Sequence, residues 1–518
     1  MVDQEEPCFV LGLDIGTTTM TCCIYDQSCR IISSETARQI LLTPKQGYFE
    51  IDPDVMWNSI LQMCRETIKK ANIDPNRISS MGISVLRNSF ITWNPSDGKM
   101  YHNIITWKDL RASHLCHQYN SSFKLKFLRF FTKILYYFTR STRYLRASAF
   151  ECLNEMAVSR LSWALKEIPG LMDAANRGSA IFGTVDTWLI WKLTNGSIHA
   201  TDPTNACVTG MYDSFVLDWN PTLLYLFDVP KRMLPKVLET NGFFGLAQPD
   251  LFGSAIPIRA VVGDQQSATF GENCFHLGDT KCTIGTGMFF NVNTHERIYP
   301  PCRNLYPVVG WKLTGEQRPT YLLETSSADC GSLINWADSI GLFDKPENSA
   351  KMAYEVPDSG GVFFLPPLSN LATSVNHSLS TFSYIGLRPT TTKSHLVRAL
   401  LESISFQVKR LVDQVESSAK IRLNSICLNG GIAKNDFVLK LIADLCGRKV
   451  LRASNVEMST LGAALLAGLS SGLFKDLDSL KEMKIVDKCF EPSGDSLKSI
   501  DHYILWKNEL EKRIKNVS

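Results

Sequence analysis

Apolar positions along the chain alternate between two periods, one of strands and one of helices. Residues 9–15 form a nearly continuous apolar run, Phe9-Val10-Leu11-Gly12-Leu13-Asp14-Ile15, closed by Gly16 and three threonines. A second apolar run at 22–26 follows, so this segment reads as strand, tight turn, strand with a polar tip. Pro53 opens a helix over 54–71 with apolar Val55, Met56, Ile60, Met63 and Ile68, and 80–85 reads as a strand. The theme returns in the second half, where the apolar strand 258–263 runs into Asp264 and the turn 283–287 leads into a strand at 288–292. Later come a helix at 394–418, a strand at 425–428, the turn Asn429-Gly430-Gly431, a helix at 435–446 and a small-residue helix at 461–468. Strands alternating with helices predict an α/β protein, and the repeated theme predicts two duplicated domains.

Composition narrows the function. The chain has 518 residues, 44% hydrophobic and 20% charged, which excludes disorder and fibrous repeats. A net charge of +3 supplies no general field for nucleic acid, so no nucleic-acid partner is expected. The 15 cysteines are odd in number, scattered and without a CxxC pair, as suits reduced thiols. The acidic start lacks the basic head and apolar stretch of a secretory signal, and the most apolar stretch, 125–138, is interrupted by Lys126, Arg129 and Lys133. The expectation is a cytoplasmic protein that does not span a membrane.

Three polar turns carry candidate chemistry. Asp14 at a strand end, followed by Gly16, Thr17, Thr18 and Thr19, combines a carboxylate able to hold a hydrated Mg²⁺ with uncharged donors for phosphate oxygens. Gly285-Thr286-Gly287 is a second such turn, and Gly430-Gly431 before a helix is a third. Each alone is as readily an ordinary turn; their order, with Asp14 first and Asp264 before the second, argues against coincidence. Neither GxxxxGK[ST] nor GxGxxG is present, which removes support for P-loop, Rossmann and protein-kinase readings.

The opening Leu11 to Thr18, the turn Gly263-Asp264-Gln265-Gln266, Gly285-Thr286-Gly287 and the helix Leu461-Gly462-Ala463-Ala464 resemble the FGGY family of carbohydrate kinases. The most specific stretch, 182–193 continuing through His199-Ala200-Thr201-Asp202-Pro203-Thr204-Asn205-Ala206, is similar to the glycerol kinase version of the family motif, and 83–87, 104–107 and 123–150 resemble a divergent branch of those kinases. The resemblance covers essentially the whole chain. It implies two RNase H-like domains of the actin/hexokinase/Hsp70-like superfamily with a central cleft, an N-terminal polyol-binding domain at 9–254 and a C-terminal nucleotide-binding domain at 255–518, closing on substrate.

It also implies roles. Asp264 would be the general base for the attacking hydroxyl, and Asp14 would anchor Mg²⁺. Thr17, Thr18, Thr19 and Thr286 would face the ATP phosphates, and Gly331, Asn335, Gly431 and Asn435 match positions lining the nucleotide. Arg87, Asn88, Trp107, Asp264, Gln265 and Phe289 fall on the polyol pocket, the residue types that give a small polyol hydrogen bonds and an apolar wall. The implied activity is ATP-dependent phosphorylation of glycerol to sn-glycerol 3-phosphate, and the resemblance allows a homo-oligomer.

The chain departs from the family in places. Asn88 stands where the family has Glu, Glu155 aligns with a pocket Tyr, Thr21 replaces an Arg that meets phosphate, Asn429 replaces an Asp, and 370–376 replaces a characteristic cleft segment. Asn88 and Glu155 favour a kinase for another small polyol or ketose, and the loss of a phosphate-facing cation favours a catalytically weak ATP-binding regulatory protein. Residues 124–146 carry Lys124, Lys126, Arg129, Lys133, Arg140, Arg143 and Arg146 among aromatics and without an acid. This reads as a basic amphipathic helix, either meeting a membrane or an acidic protein or, the preferred expectation, packing its aromatics onto the N-terminal domain.

Overall fold

The computed structural model describes residues 8–285, 287–300, 305–327, 330–367, 381–453, 457–483, 486–494 and 497–517. The chain forms two compact units, one of 1–273 with 308–321 and 457–484, the other of 274–307 with 322–456 and 485–518. The strand Ile258–Gly263, just beyond the residue 254 at which the sequence reading divides the chain, pairs in parallel with Ile78–Val85 and so belongs to the first unit.

The first unit is built on a sheet in the order Ile258–Gly263, Ile78–Val85, Phe9–Ile15, Thr19–Tyr25, Ile31–Arg38. The first three strands are parallel, and the last two extend the sheet as antiparallel neighbours. Phe9–Ile15 and Ile78–Val85 are buried on both faces, which is why they read as unbroken apolar runs rather than alternating ones. The helix Pro53–Ala71 starts as expected, with Asp52 accepting from the Asp54 and Val55 amides at 2.9 and 3.0 Å, and packs Met56, Ile60 and Met63 with Leu11 and Leu13 in the core.

The small-residue helix Met458–Ser471 also lies in this unit, and it sits so near the sheet that a Cβ on Gly82 would collide with the Ala463 carbonyl oxygen. Side-chain bonding adds to the contact, the hydroxyls of Tyr25 and Thr460 lying 2.7 Å apart.

In the second unit, five strands of the sheet run Met288–His295, Thr280–Ile284, Ser425–Asn429, Lys449–Ala453, Val486–Phe490. Thr280–Ile284 pairs antiparallel with Met288–His295 and parallel with Ser425–Asn429, which is parallel to Lys449–Ala453. An antiparallel hairpin passing into parallel neighbours is the arrangement of the first unit as well, so the recurrence in the sequence is also a recurrence of topology. The helix Lys393–Ser418 packs Leu400, Leu401 and Ile404 with Ile426 and Leu428, and Leu497–Val517 brings Tyr503, Trp506 and Leu510 to Phe406. The described cysteines are free, and no helix among the described residues is long and apolar enough to cross a membrane.

The segment 124–146 departs from expectation twice. It forms two helices, Phe123–Thr139 and Thr142–Ser148, separated at Arg140 with φ 54°. Its aromatics do not pack inward: in the first of these helices Leu125 and Thr132 are the buried residues, while Phe123, Phe127 and Phe130 are exposed.

The close approach at Gly82 yields a stability test. Gly82→Ala should lower the free energy of unfolding in urea by about 2 to 3 kcal/mol, because neither partner is a flexible side chain that could give way. Gly494→Ala, with nothing within 4 Å of the added methyl, should change it by less than about 0.5 kcal/mol. Equal stability of the two variants would refute the packing argument.

Candidate active site

Ile15, Val85 and Gly263 are cross-strand partners at the carboxyl ends of three parallel strands, the edge at which α/β sheets gather ligand-binding residues. Asp14 lies opposite Ser84 in this register and accepts from the Ser84 hydroxyl at 2.6 Å. Asp264 opens the helix Asp264–Gly271 directly after Gly263, and its Oδ1 accepts from the Gln265 amide at 2.7 Å. Arg87, two residues past Val85, places its Nε 3.3 Å from the same Asp264 oxygen. Trp107 joins through its indole Nε1, which donates to the Thr17 hydroxyl at 3.0 Å. One end of one sheet therefore gathers Asp14, Thr17, Arg87, Trp107, Asp264 and Gln265.

Burial is the main cause pushing the Asp14 carboxyl up to about 7; the Ser84 bond opposes it, and the negative charges of Asp264 and Glu457 add to it. Glu457 is likewise raised by burial and held by a hydrogen bond from Thr21. Thr21 is the antiparallel partner of Asp14, so the position at which the family places an Arg lies beside the carboxylate. Asp14, Asp264 and Glu457 thus lie near enough for their charges to oppose one another. Among the described residues no three His, Cys, Asp or Glu side chains form a group that could hold a metal ion, so a divalent cation at Asp14 would need water or phosphate oxygens as its other ligands.

Asn88 follows Arg87 in the left-handed region, φ 65°, a conformation asparagine tolerates better than most residues. Its Oδ1 is buried with no hydrogen-bond partner among the described residues, an acceptor available to a ligand hydroxyl. Thr18 and Thr19 are exposed at the hairpin tip, and Glu155 is exposed.

Several residues that hold this site were not assigned roles from the sequence. Arg160 is fully buried, and its guanidinium donates to the backbone carbonyls of Asn88 at 2.9 Å, Glu155 at 2.8 Å, Asn154 at 3.0 Å and Thr106. Burial lowers its pKa to about 10. It ties together the loops that carry Arg87, Trp107 and Glu155. Asp202 accepts from the Thr204 and Asn205 amides, from both of their side chains and from Thr240. The Thr204 hydroxyl so oriented accepts from the Gly263 amide at 2.7 Å, fixing the residue before Asp264. The stretch most similar to the family motif thus includes a brace for the turn that carries the proposed base.

The second unit brings together the glycine turns. The Gly331 amide, at the start of the helix Gly331–Ser339, donates to the Gly285 carbonyl at 3.0 Å. Gly430 has φ 90°, and a Cβ there would lie 2.5 Å from the Ile284 carbonyl oxygen, so only glycine lets the two turns meet. Gly431 and Asn335 are exposed. Asn435 caps the helix Asp436–Cys446, accepting from Val438 at 3.2 Å and donating to Ser349 at 3.0 Å, so its side chain has structural partners already. Phe289 stands in the strand Met288–His295 opposite Thr283. Thr286 and the segment 370–376 lie outside the described residues.

The chain is similar to known proteins over most of its length. The model of the FGGY family of carbohydrate kinases, N-terminal domain, matches residues 9–271, and that of its C-terminal domain matches 280–471. Glycerol kinase 5 of Gallus gallus is 41% identical over 487 residues, covering 94% of this chain and 93% of its own length. Glycerol kinase 2 of Thermotoga maritima is 32% identical, covering 98% and 99%. The crystal structure of Plasmodium falciparum glycerol kinase with ADP superposes with a TM-score of 0.87 at 27% identity, covering 98% of each chain. A ligand-bound xylulose kinase from Lactobacillus acidophilus shares the fold at a TM-score of 0.81 and 21% identity over 98% of this chain and 99% of its own. With both domain models matched in order and relatives similar across their full length, this two-domain α/β chain belongs to the FGGY family of carbohydrate kinases.

Proposed function

We propose that the protein is a cytosolic ATP-dependent kinase that phosphorylates glycerol to sn-glycerol 3-phosphate with Mg²⁺. The observation that carries this reading is the meeting of Asp14, Arg87 and Asp264 at the carboxyl ends of three parallel strands. Similarity to named glycerol kinases supports the substrate, and the free cysteines suit the cytosol.

Asp264 accepts the proton of the attacking hydroxyl. That oxygen forms the new bond to the γ-phosphorus, the bond from the γ-phosphorus to the β–γ bridging oxygen breaks, and ADP leaves. Arg87, with its Nε 3.3 Å from Asp264, orients that carboxylate, and the family resemblance assigns its guanidinium to the polyol. Asn88 offers an acceptor, Gln265 a second polar group and Trp107 an apolar wall. Thr18 and Thr19 present hydroxyls to phosphate, while Thr17 is positioned by Trp107. Bound Mg²⁺, held at Asp14, would neutralise charge on the β- and γ-phosphates. Gly285, Gly331 and Gly431 leave backbone surface for the nucleotide, with Thr286, Asn335 and Asn435 assigned beside it and Phe289 assigned to the polyol by the family resemblance.

A second reading has one specific observation in its favour. Thr21 beside Asp14 bonds to Glu457 and supplies no cation, which favours slow turnover and a regulatory use of ATP binding. Asn88 in place of a carboxylate similarly keeps another small polyol or ketose in view as substrate.

Two measurements test the proposal. Asp264→Asn should reduce glycerol-dependent ATP turnover by about 10²- to 10⁴-fold while calorimetry still detects ATP binding. Undiminished turnover would remove Asp264 as the base, and turnover only with another member of a polyol panel would replace glycerol. Asn88→Glu should lower the KM for glycerol about tenfold, because a charged acceptor strengthens a hydrogen bond by about 1.4 kcal/mol. An unchanged or raised KM would place Asn88 outside the pocket.

A further inference from the structure

The helix Phe123–Thr139 carries a surface that phosphoryl transfer does not use. Phe123, Phe127, Phe130, Phe131, Tyr137 and Phe138 are all exposed, Phe123 at 81% and Phe138 at 77%. At about 100° per residue these six fall within an arc of about 120°, and exposed Ile134 lies inside it. The rings of Phe123, Phe127 and Phe131 follow one another at centroid separations of 6.2 Å. Leu125 and Thr132 occupy the opposite side of the helix and are buried. Tyr225, 73% exposed beneath the Lys124 ammonium at 5.4 Å, extends the patch.

The cations of the segment divide into two sets. Arg129 donates to the Phe150 carbonyl and to Asn120, Arg143 pairs with Asp213 at 2.7 Å, and Arg146 is half-buried. Arg129 and Arg143 anchor the segment to its own unit. Lys124, Lys126, Lys133 and Arg140 are exposed, make no ion pair among the described residues, and border the aromatic stripe; no Asp or Glu occurs between 123 and 146.

We propose that this helix is an interfacial anchor that lies in the plane of an anionic lipid bilayer, its rings at the boundary between headgroups and acyl chains and its four exposed cations on lipid phosphates. The helix is too short and too charged to cross a membrane, but a wide apolar stripe edged by lysines is the pattern of helices that lie on one. Charge selects the occupant. A second copy of the chain would set identical cations against each other, and a neutral apolar partner would leave all four unpaired. Anionic lipid pairs the cations and receives the projecting rings together.

Co-sedimentation of the full chain with vesicles tests this. Binding is expected to phosphatidylcholine vesicles containing about 30% phosphatidylserine, and to fall at least about tenfold with phosphatidylcholine alone or at about 0.5 M salt. The variants F127E/F131E and K124Q/K126Q/K133Q should each lose at least about tenfold in binding, with circular dichroism and ATP turnover unchanged. Phe130→Trp should show blue-shifted emission on the same vesicles. Absence of sedimentation at about 0.05 M salt, or binding insensitive to both variants, overturns the proposal. So does a change of oligomeric state in F127E/F131E without vesicle binding by the parent chain, which would assign the face to a second copy. Capture by polyglutamate without capture by vesicles would assign it to an acidic protein instead.

Discussion

The parallel register of Phe9–Ile15, Ile78–Val85 and Ile258–Gly263 sets three strand ends side by side, and the groups that leave those ends meet because of it. Asp14 faces Ser84, Arg87 follows Val85, and Asp264 follows Gly263. A one-residue slip would turn every side chain of a strand to the other face, so a register fixed by a core buried on both sides also fixes the carboxylates. Packing enforces that register at Gly82, where the backbone of the helix Met458–Ser471 takes the volume a side chain would need.

Strand ends alone do not make a site, because the loops that follow them would otherwise be mobile. Two buried polar groups remove that freedom. Arg160 spends its donors on carbonyls from three loops, and Asp202, through the Thr204 hydroxyl, holds the Gly263 amide. A buried guanidinium is costly unless its donors are met, and here partners distributed over distant segments make that cost a reason for the loops to hold one arrangement. These residues act by positioning; neither needs to touch substrate.

Much of this was legible in the sequence, for identifiable reasons. A strand buried on both faces must be apolar throughout, so Phe9–Ile15 and Ile258–Gly263 announced themselves, and the acidic residues at their ends stood out against that background. The glycine turns were visible because few residues can occupy them. Arg160 was not legible, since its carbonyl partners lie up to 72 residues away and carbonyls carry no sequence signal. Nor was the role of Asp202: similarity marked it as part of a motif, but only the fold joins Thr204 to Gly263 across 59 residues. The aromatic helix failed for another reason. Its amphipathic period is genuine, but period alone gives the width of an apolar face and not its direction, and here Leu125, Thr132 and the bonds of Arg129 to the Phe150 carbonyl and Asn120 take the inner side and leave the stripe outward.

The electrostatics around Asp14 bear on both readings of the function. Burial and the charges of Asp264 and Glu457 oppose its ionisation and raise its carboxyl to about 7, whereas the proposed metal anchor would have to be charged. An arginine opposite Asp14 would relieve that tension permanently; Thr21 does not, and instead stabilises a further acid, Glu457. On the proposed reading, the charge missing from the protein would arrive with the ligand. In the proposed kinase, a cation held at Asp14 would favour the ionised carboxylate, so metal binding and loss of the Asp14 proton would be linked. On the proposed reading, the same substitution would weaken fixed stabilisation of the phosphates and make the site more dependent on the metal, and that dependence would separate a slow kinase from an inert one.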